Sequence, residues 1–179
     1  MKSDRTILVD ICWTLFYSNT TYDFLQIRGN RFNSLLYKLF RYDAVRSRAI
    51  KRFEQLPKAE QEARVERFYT DYLEPRKIAP VWELIEGKEI VLVSQTMDLI
   101  ARTVARHIGA KAYYAMQNKE EVLVHFTDFD IITDNMSDIE LIKRAQHATI
   151  VTYNNKPRWE KILPQGINVT FIETGREKY

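Results

Sequence analysis

The sequence is short of several things, and each shortage excludes something. It has a single cysteine, Cys12, among 179 residues. An internal disulfide is therefore impossible, and no cysteine-based zinc site can form. A chain so poor in cysteine suits a reducing, cytoplasmic setting. No apolar run approaches the roughly eighteen residues that a membrane-spanning helix needs. The apolar run near the N-terminus covers only Ile7 to Val9 before Asp10 interrupts it. That is too short for a secretory signal, so the Asn-X-Ser/Thr triplets at Asn19, Asn135 and Asn168 read as chance matches. Repeats and low-complexity tracts are missing too. The three histidines, His107, His125 and His147, are dispersed and form no metal-ligand spacing. A net charge of +3 is too weak to point to a nucleic-acid partner.

What is there is an ordinary globular composition, 45% hydrophobic and 28% charged. The length favours one compact domain with room for a small insert. The chain changes character near Ser18 and again near Pro80. From Tyr22 to Lys77 the pattern is helical. Apolar residues recur at three and four in Phe32, Leu35, Leu36, Leu39 and Phe40, then in Val65, Phe68, Tyr69, Tyr72 and Leu73. Asp43 is placed to cap a helix from Ala44, and Pro57 to start one running to Leu73.

The rest alternates short apolar strands with helices. Strands are expected at Thr6–Val9, Glu89–Ser94, Ala112–Ala115, Asp130–Thr133, Ala148–Thr152 and Asn168–Ile172. Helices are expected at Met97–Ile108, Lys119–Phe126, Ser137–Gln146 and Pro157–Leu163. Continuous apolar strands separated by helices indicate a parallel sheet covered on both faces. The expected fold class is therefore α/β, a doubly wound Rossmann-type sheet with an α-helical insert after the first strand. The expected division is a core of residues 1–17 and 78–179 and a helical cap of residues 18–77.

In such a sheet ligands bind beyond the carboxyl ends of the strands. The first strand is followed by Asp10-Ile11-Cys12-Trp13-Thr14-Leu15, and the second ends in Ser94-Gln95-Thr96. The fourth runs into Thr133-Asp134-Asn135-Met136-Ser137-Asp138, and Lys119 opens the helix before it. A carboxylate, an acidic pair, a hydroxyl and an ammonium at one sheet edge form a phosphoryl-transfer set. The carboxylate can attack phosphorus, acids suit Mg²⁺, and Ser94 and Lys119 can hold phosphate oxygens. Lys88 and Lys111 are rivals to Lys119 for that role.

The chain resembles the phosphoserine-phosphatase-like branch of the haloacid dehalogenase superfamily. The resemblance rests on Ile7-Leu8-Val9-Asp10-Ile11-Cys12-Trp13-Thr14 against a hydrophobic strand and DxDxT, and on Val91-Leu92-Val93-Ser94 with the following Asp98–Lys111 helix. Lys119 and the D-x-x-x-D pair Asp134 and Asp138 complete it. It covers Thr6–Leu15 and Val91–Trp159. It implies that Asp10 is the nucleophile and a Mg²⁺ ligand, with the Cys12 backbone carbonyl and Asp134 as the other protein ligands. It implies that Asp138 orients this shell from the second layer. It also implies that Thr14, Ser94, Gln95 and Lys119 meet the substrate, a small phosphorylated or otherwise anionic molecule.

One departure matters most. The second acid of DxDxT protonates the leaving oxygen and then activates water, and here that position is Cys12. A thiol is a poor replacement. Three readings stay open: a phosphatase slow on all but good leaving groups, a protein that holds a phosphorylated ligand or partner without turnover, and a dehalogenase-type hydrolase. Trp13 either narrows the pocket, stacks on a substrate ring or packs under the cap. Tyr17, Asn19, Arg28 and Arg31 are candidates for facing the pocket. From Tyr22 to Lys77 there are thirteen Lys or Arg and eight Asp or Glu, a net of +5. A basic insert suits an anionic substrate, or peripheral contact with an anionic membrane or a partner protein.

Overall fold

The computed structural model describes residues 5–27 and 42–175. The strands in chain order are β1 (Thr6–Val9), β2 (Ile90–Ser94), β3 (Ala112–Ala115), β4 (Phe129–Thr133), β5 (His147–Thr152) and β6 (Val169–Glu173). Each lies within one residue of its expected position. Among the described residues they form one sheet, parallel throughout, in the order β3-β2-β1-β4-β5-β6. Between β1 and β2 come α1 (Thr20–Phe24), α2 (Tyr42–Glu54), α3 (Lys58–Arg67) and α4 (Ala79–Ile85). Then α5 (Asp98–Ile108) follows β2, α6 (Ile139–Arg144) follows β4, and α7 (Lys156–Ile162) follows β5.

The apolar runs become central strands because both sheet faces are covered. Successive side chains point to opposite faces, and the burial follows that alternation. Ile7, Val9, Ile90, Leu92, Ile132 and Val151 join one core with Val81, Ile100 and Val104 of the helices. Leu8, Val91, Val93, Phe129, Ile131, Ala148 and Ile150 join the other with Leu141, Ile142 and Trp159. Burial on both faces explains why these strands read as continuous apolar runs. Helix α5 stops where Gly109 turns left-handed at φ 67°, and the Ala110 N–H returns to the Ala105 carbonyl at 2.9 Å.

The strand order reverses direction at β1, which pairs with β2 on one side and β4 on the other. That is the switch point of a doubly wound sheet, where a crevice opens beyond the carboxyl ends. The helical segment after β1 leaves and returns through one narrow crossing. Tyr17 N–H donates to the Arg76 carbonyl at 2.8 Å, and Ile78 N–H donates to the Leu15 carbonyl at 2.9 Å. The Trp82 indole N–H adds a bond to the same Leu15 oxygen at 2.9 Å.

Three local expectations need correction. Lys119–Val124 is a 3₁₀ turn rather than an α-helix. Its buried residues, Lys119 and Val122, are three apart, which is the 3₁₀ repeat. The helix expected from Pro57 to Leu73 is α-helical only over Lys58–Arg67 and widens to a π-helix over Phe68–Leu73, so that Tyr69 and Leu73 both bury. Asp43 lies inside α2 rather than at its cap, because that helix is already formed at Tyr42. The apolar set Phe32 to Phe40 lies outside the described residues.

Trp159 anchors the second core and is fully buried. Trp159→Ala is expected to lower stability by about 3–5 kcal/mol. A urea melt should show a lower midpoint at an unchanged slope.

Candidate active site

Asp10 sits immediately after β1 and is held there by the sheet. Its backbone N–H donates to the Ile132 carbonyl at 3.0 Å, tying it to β4. Its carboxylate Oδ1 accepts the Ile11 N–H at 2.7 Å. Its Oδ2 lies 2.8 Å from Lys119 Nζ. The same ammonium donates to Asp138 Oδ2 at 2.8 Å, and that oxygen also accepts the Thr133 hydroxyl at 2.6 Å. Asp10, Lys119 and Asp138 are all buried. Burial works to lower the Lys119 pKa, but the two carboxylates outweigh it and hold the ammonium above its ordinary range. Burial raises the Asp138 carboxyl above the usual carboxylate range against the pull of Lys119, and the nearby Asp10 charge adds to the rise.

The acid of the fourth segment is placed by a different contact. The Thr14 hydroxyl, wholly buried, donates to Asp134 Oδ1 at 3.1 Å. Thr14 was expected to touch substrate. It lies behind the cleft instead and supports Asp134. Asp138 is not among the residues lining the cleft either; its carboxylate accepts from Lys119 and Thr133.

The cleft itself has a volume of about 240 Å³. Asp10, Cys12, Ser94, Gln95, Lys119 and Asp134 line it together, so the sequence-predicted groups do converge. Ser94 is 1% exposed, and its hydroxyl has no hydrogen-bond partner among the described residues. A buried hydroxyl left unpaired costs about 1–3 kcal/mol. Of the rival lysines, Lys111 is exposed and pairs with Glu89, and Lys88 does not line the cleft. Asn19 lines the cleft and Tyr17 does not. Arg28 and Arg31 lie outside the described residues, as do Lys38 and Arg41 of the basic insert.

Cys12 is half-buried, with its sulfur 3.1 Å from the Thr20 hydroxyl. Burial and the neighbouring Asp10 charge push its thiol up to about 11. It is neither an acid nor a base of useful strength at neutral pH.

Several cleft features were not legible in the sequence. A threonine cluster joins the segment after β1 to the loop after β2. Thr96 Oγ lies 2.6 Å from Thr20 Oγ and 3.0 Å from Thr21 Oγ, and Thr21 Oγ accepts the Met97 N–H at 3.1 Å. Arg46 of α2 reaches the cleft and donates to the Gln95 carbonyl at 2.8 Å. Gln95 in turn donates to the Gln117 carbonyl at 2.7 Å. Nothing in spacing or composition separates Arg46 from the other basic residues of the insert.

Among the described residues no group of three or more His, Cys, Asp and Glu is placed to hold a metal ion on its own. Asp10, Cys12 and Asp134 line one cleft, and their carboxylates and backbone carbonyl are oxygen donors of the type Mg²⁺ takes. Mg²⁺ takes one or two carboxylates and keeps waters rather than demanding a full protein cage. The charge balance favours a cation too. Asp10, Asp134 and Asp138 against Lys119 and Arg46 leave a formal −1, which repels a phosphate dianion unless a divalent ion offsets it.

No family model matches this chain, and no curated protein does. Solved structures do. A protein of unknown function from Bordetella pertussis Tohama I superposes with a TM-score of 0.67 at 14% identity, covering 98% of this chain and 99% of that one. A haloacid dehalogenase family hydrolase from Salmonella enterica subsp. enterica serovar Typhi superposes with a TM-score of 0.61 at 13% identity, over 93% of this chain and 67% of that one. A phosphoserine phosphatase in its apo form superposes with a TM-score of 0.51 at 13% identity, over 82% and 86%. The chain has the haloacid dehalogenase-like fold, and at these identities the likeness is one of fold.

Lys119→Met would leave two buried carboxylates without their cation. The expected loss at pH 7 is about 3–5 kcal/mol. Those carboxylates would then bind protons more readily folded than unfolded, so the deficit should narrow as pH falls toward the ordinary carboxylate range near about 4. Denaturant melts of both proteins at pH 7 and pH 5 would test both the loss and its sign with pH.

Proposed function

We propose that this chain is a phosphomonoester hydrolase that works through Asp10, with helices of residues 18–77 serving as its cap. The observation that carries this reading is the buried Asp10–Lys119 pair facing the partnerless Ser94 hydroxyl across one cleft. The pair offers a nucleophile beside a fixed cation, and Ser94 offers a donor with nothing else to bind.

In this reading the Asp10 carboxylate attacks the phosphorus and an aspartyl-phosphate forms. Lys119 and Ser94 hold the phosphoryl oxygens and offset their charge in the transition state. Asp138 and Thr133 keep Lys119 in place from behind. Asp10, Asp134 and the Cys12 carbonyl would hold Mg²⁺, which when bound supplies positive charge to the phosphate oxygens. Arg46 gives the cleft mouth a further positive group for an anionic substrate. The threonine cluster and the Arg46–Gln95 bond hold the insert against the loop after β2, which limits water around the acyl phosphate.

Cys12 sets the limit on rate. Its thiol faces Thr20 and stays neutral, so protonation of the leaving oxygen is lost. Positioned acid–base catalysis is worth about 10²- to 10⁴-fold. The expected behaviour is slow turnover, best on esters whose leaving group needs no proton.

Phosphate release from 4-nitrophenyl phosphate should depend on Mg²⁺ and vanish in Asp10→Asn. Cys12→Asp should raise turnover of poor leaving groups by about 10²-fold or more. If neither the native protein nor Cys12→Asp releases phosphate, while inorganic phosphate still binds, the pocket holds a phosphorylated ligand without turnover and the hydrolase reading fails.

A further inference from the structure

The wall of the cleft is unlike that of most small-molecule pockets. Such pockets are predominantly apolar, with a few polar groups that fix orientation. Here, among the described lining residues, there is no aliphatic side chain. Four carboxamides stand in the wall instead: Asn19, Gln95, Gln117 and Asn135. Each comes from a different strand end. Asn19 belongs to the segment after β1, Gln95 follows β2, Gln117 follows β3 and Asn135 follows β4. The amides therefore ring the carboxyl edge of the sheet, and the proposed reaction uses none of them.

Asn19 Oδ1 accepts the Tyr22 N–H at 3.4 Å, and Asn135 Oδ1 accepts the Ser137 N–H at 3.0 Å. Each oxygen closes a turn, and each Nδ2 is left without a partner among the described residues. Serine and aspartate cap such turns as well as asparagine does, but neither would add this N–H pair. Gln95 gives its Nε2 to the Gln117 carbonyl at 2.7 Å and keeps Oε1 as an acceptor. Only the backbone of Gln117 is engaged by that bond. Its side chain stands where the cleft opens into an adjoining cavity of about 520 Å³, at residues Arg46, Thr96 and Gln117 common to both. The charged groups are already spoken for. Lys119 gives N–H groups to Asp10 and Asp138, and Arg46 donates to the Gln95 carbonyl. The Ser94 hydroxyl, 1% exposed, is a further partnerless group in the same wall.

A molecule that fills this cleft displaces the water that serves those amides. Hydrocarbon in that place would leave them unpaired, at roughly a tenfold loss of affinity for each. A hydroxyl both donates and accepts, so it satisfies an amide N–H and an amide oxygen alike. We infer that the substrate is the phosphomonoester of a polyol or sugar, with its phosphate at Ser94 and Lys119 and its hydroxyls on Asn19, Asn135 and Gln117. This rests on the hydrolase reading above for the place of the phosphate, and it adds the substrate class. The three amides are specificity residues: they recognise the alcohol that carries the phosphate. The opening past Gln117 gives a chain of several hydroxylated carbons somewhere to extend.

The test is calorimetric titration of the full chain with Mg²⁺ against glycerol phosphate, propyl phosphate and phosphoglycolate, which reads binding apart from turnover. Glycerol phosphate and propyl phosphate share one carbon chain and differ in their hydroxyls. Glycerol phosphate should bind at least about tenfold more tightly. Asn19→Ser and Asn135→Ser keep a capping oxygen and remove the amide, and Gln117→Met removes an amide that holds nothing else in the protein. Each should lower the ratio of the two affinities by about threefold. A variant that merely loosened the fold would weaken both esters alike and leave the ratio where it was. Propyl phosphate binding as tightly as glycerol phosphate overturns the polyol assignment, as does a ratio unmoved by all three variants. Phosphoglycolate binding more tightly than glycerol phosphate overturns it in favour of a carboxylate on Arg46, and no binding of any probe overturns it outright. The hydrolase reading stands or falls separately, on 4-nitrophenyl phosphate turnover that vanishes in Asp10→Asn.

Discussion

The buried ammonium of Lys119 is the contact on which the site depends. It lies 2.8 Å from both Asp10 and Asp138, and all three groups are almost wholly withdrawn from water. A carboxylate buried alone would cost several kcal/mol or take up a proton. One cation shared between two acids lets both stay inside the fold at the carboxyl edge of the sheet. The Thr133 hydroxyl fixes the rear acid, and the β1–β4 ladder fixes the front one. Remove Lys119 and the constellation has no reason to stay dry.

Around that contact the chain is arranged as two layers of support. Among the residues that line the cleft, Asp10, Asp134, Lys119 and Arg46 carry its charge. Behind them Thr14 donates to Asp134 and Asp138 accepts from Lys119, while the Thr133 hydroxyl holds Asp138 in turn. The threonine cluster of Thr20, Thr21 and Thr96 then ties the helical segment to the core loop. Cys12 belongs to this tie through Thr20. At that position the sulfur lies 3.1 Å from the Thr20 hydroxyl. Trp13 turns left-handed in the same segment, at φ 56°, and its indole packs against Tyr153 and the core.

Much of this was open to reading in advance. Ile7-Leu8-Val9, Val91-Leu92-Val93 and Ile131-Ile132 are apolar without interruption because both faces of their strands are covered. Such runs, short and separated by helical stretches, are the pattern of central parallel strands. Their polar successors, Asp10, Ser94 and Asp134, fall at the strand ends by the same logic. The misread elements were those whose local signal was weak. Lys119–Phe126 has helix-forming residues but too few buried positions to hold a full helix, so it tightened to a 3₁₀ turn. Phe68–Leu73 carries a helical period but forms a π-helix, with Tyr69 and Leu73 buried. The role of Thr14 was misplaced because a hydroxyl near an acid looks the same in sequence whether it faces ligand or protein.

The sequence by itself determined the sheet, its strand boundaries to within a residue, and which side chains reach its carboxyl edge. Periodicity and burial are local properties, and one strand's pattern carries them whole. Only the tertiary structure decided which side chains touch. The choice of Lys119 over Lys111 and Lys88, the placing of Arg46 at the cleft, and the pairing of Thr96 with Thr20 and Thr21 all join residues far apart in the chain. So does the brace of Tyr153 on Trp13. Such contacts depend on how helices pack across a finished sheet, and no spacing along the chain encodes that distance.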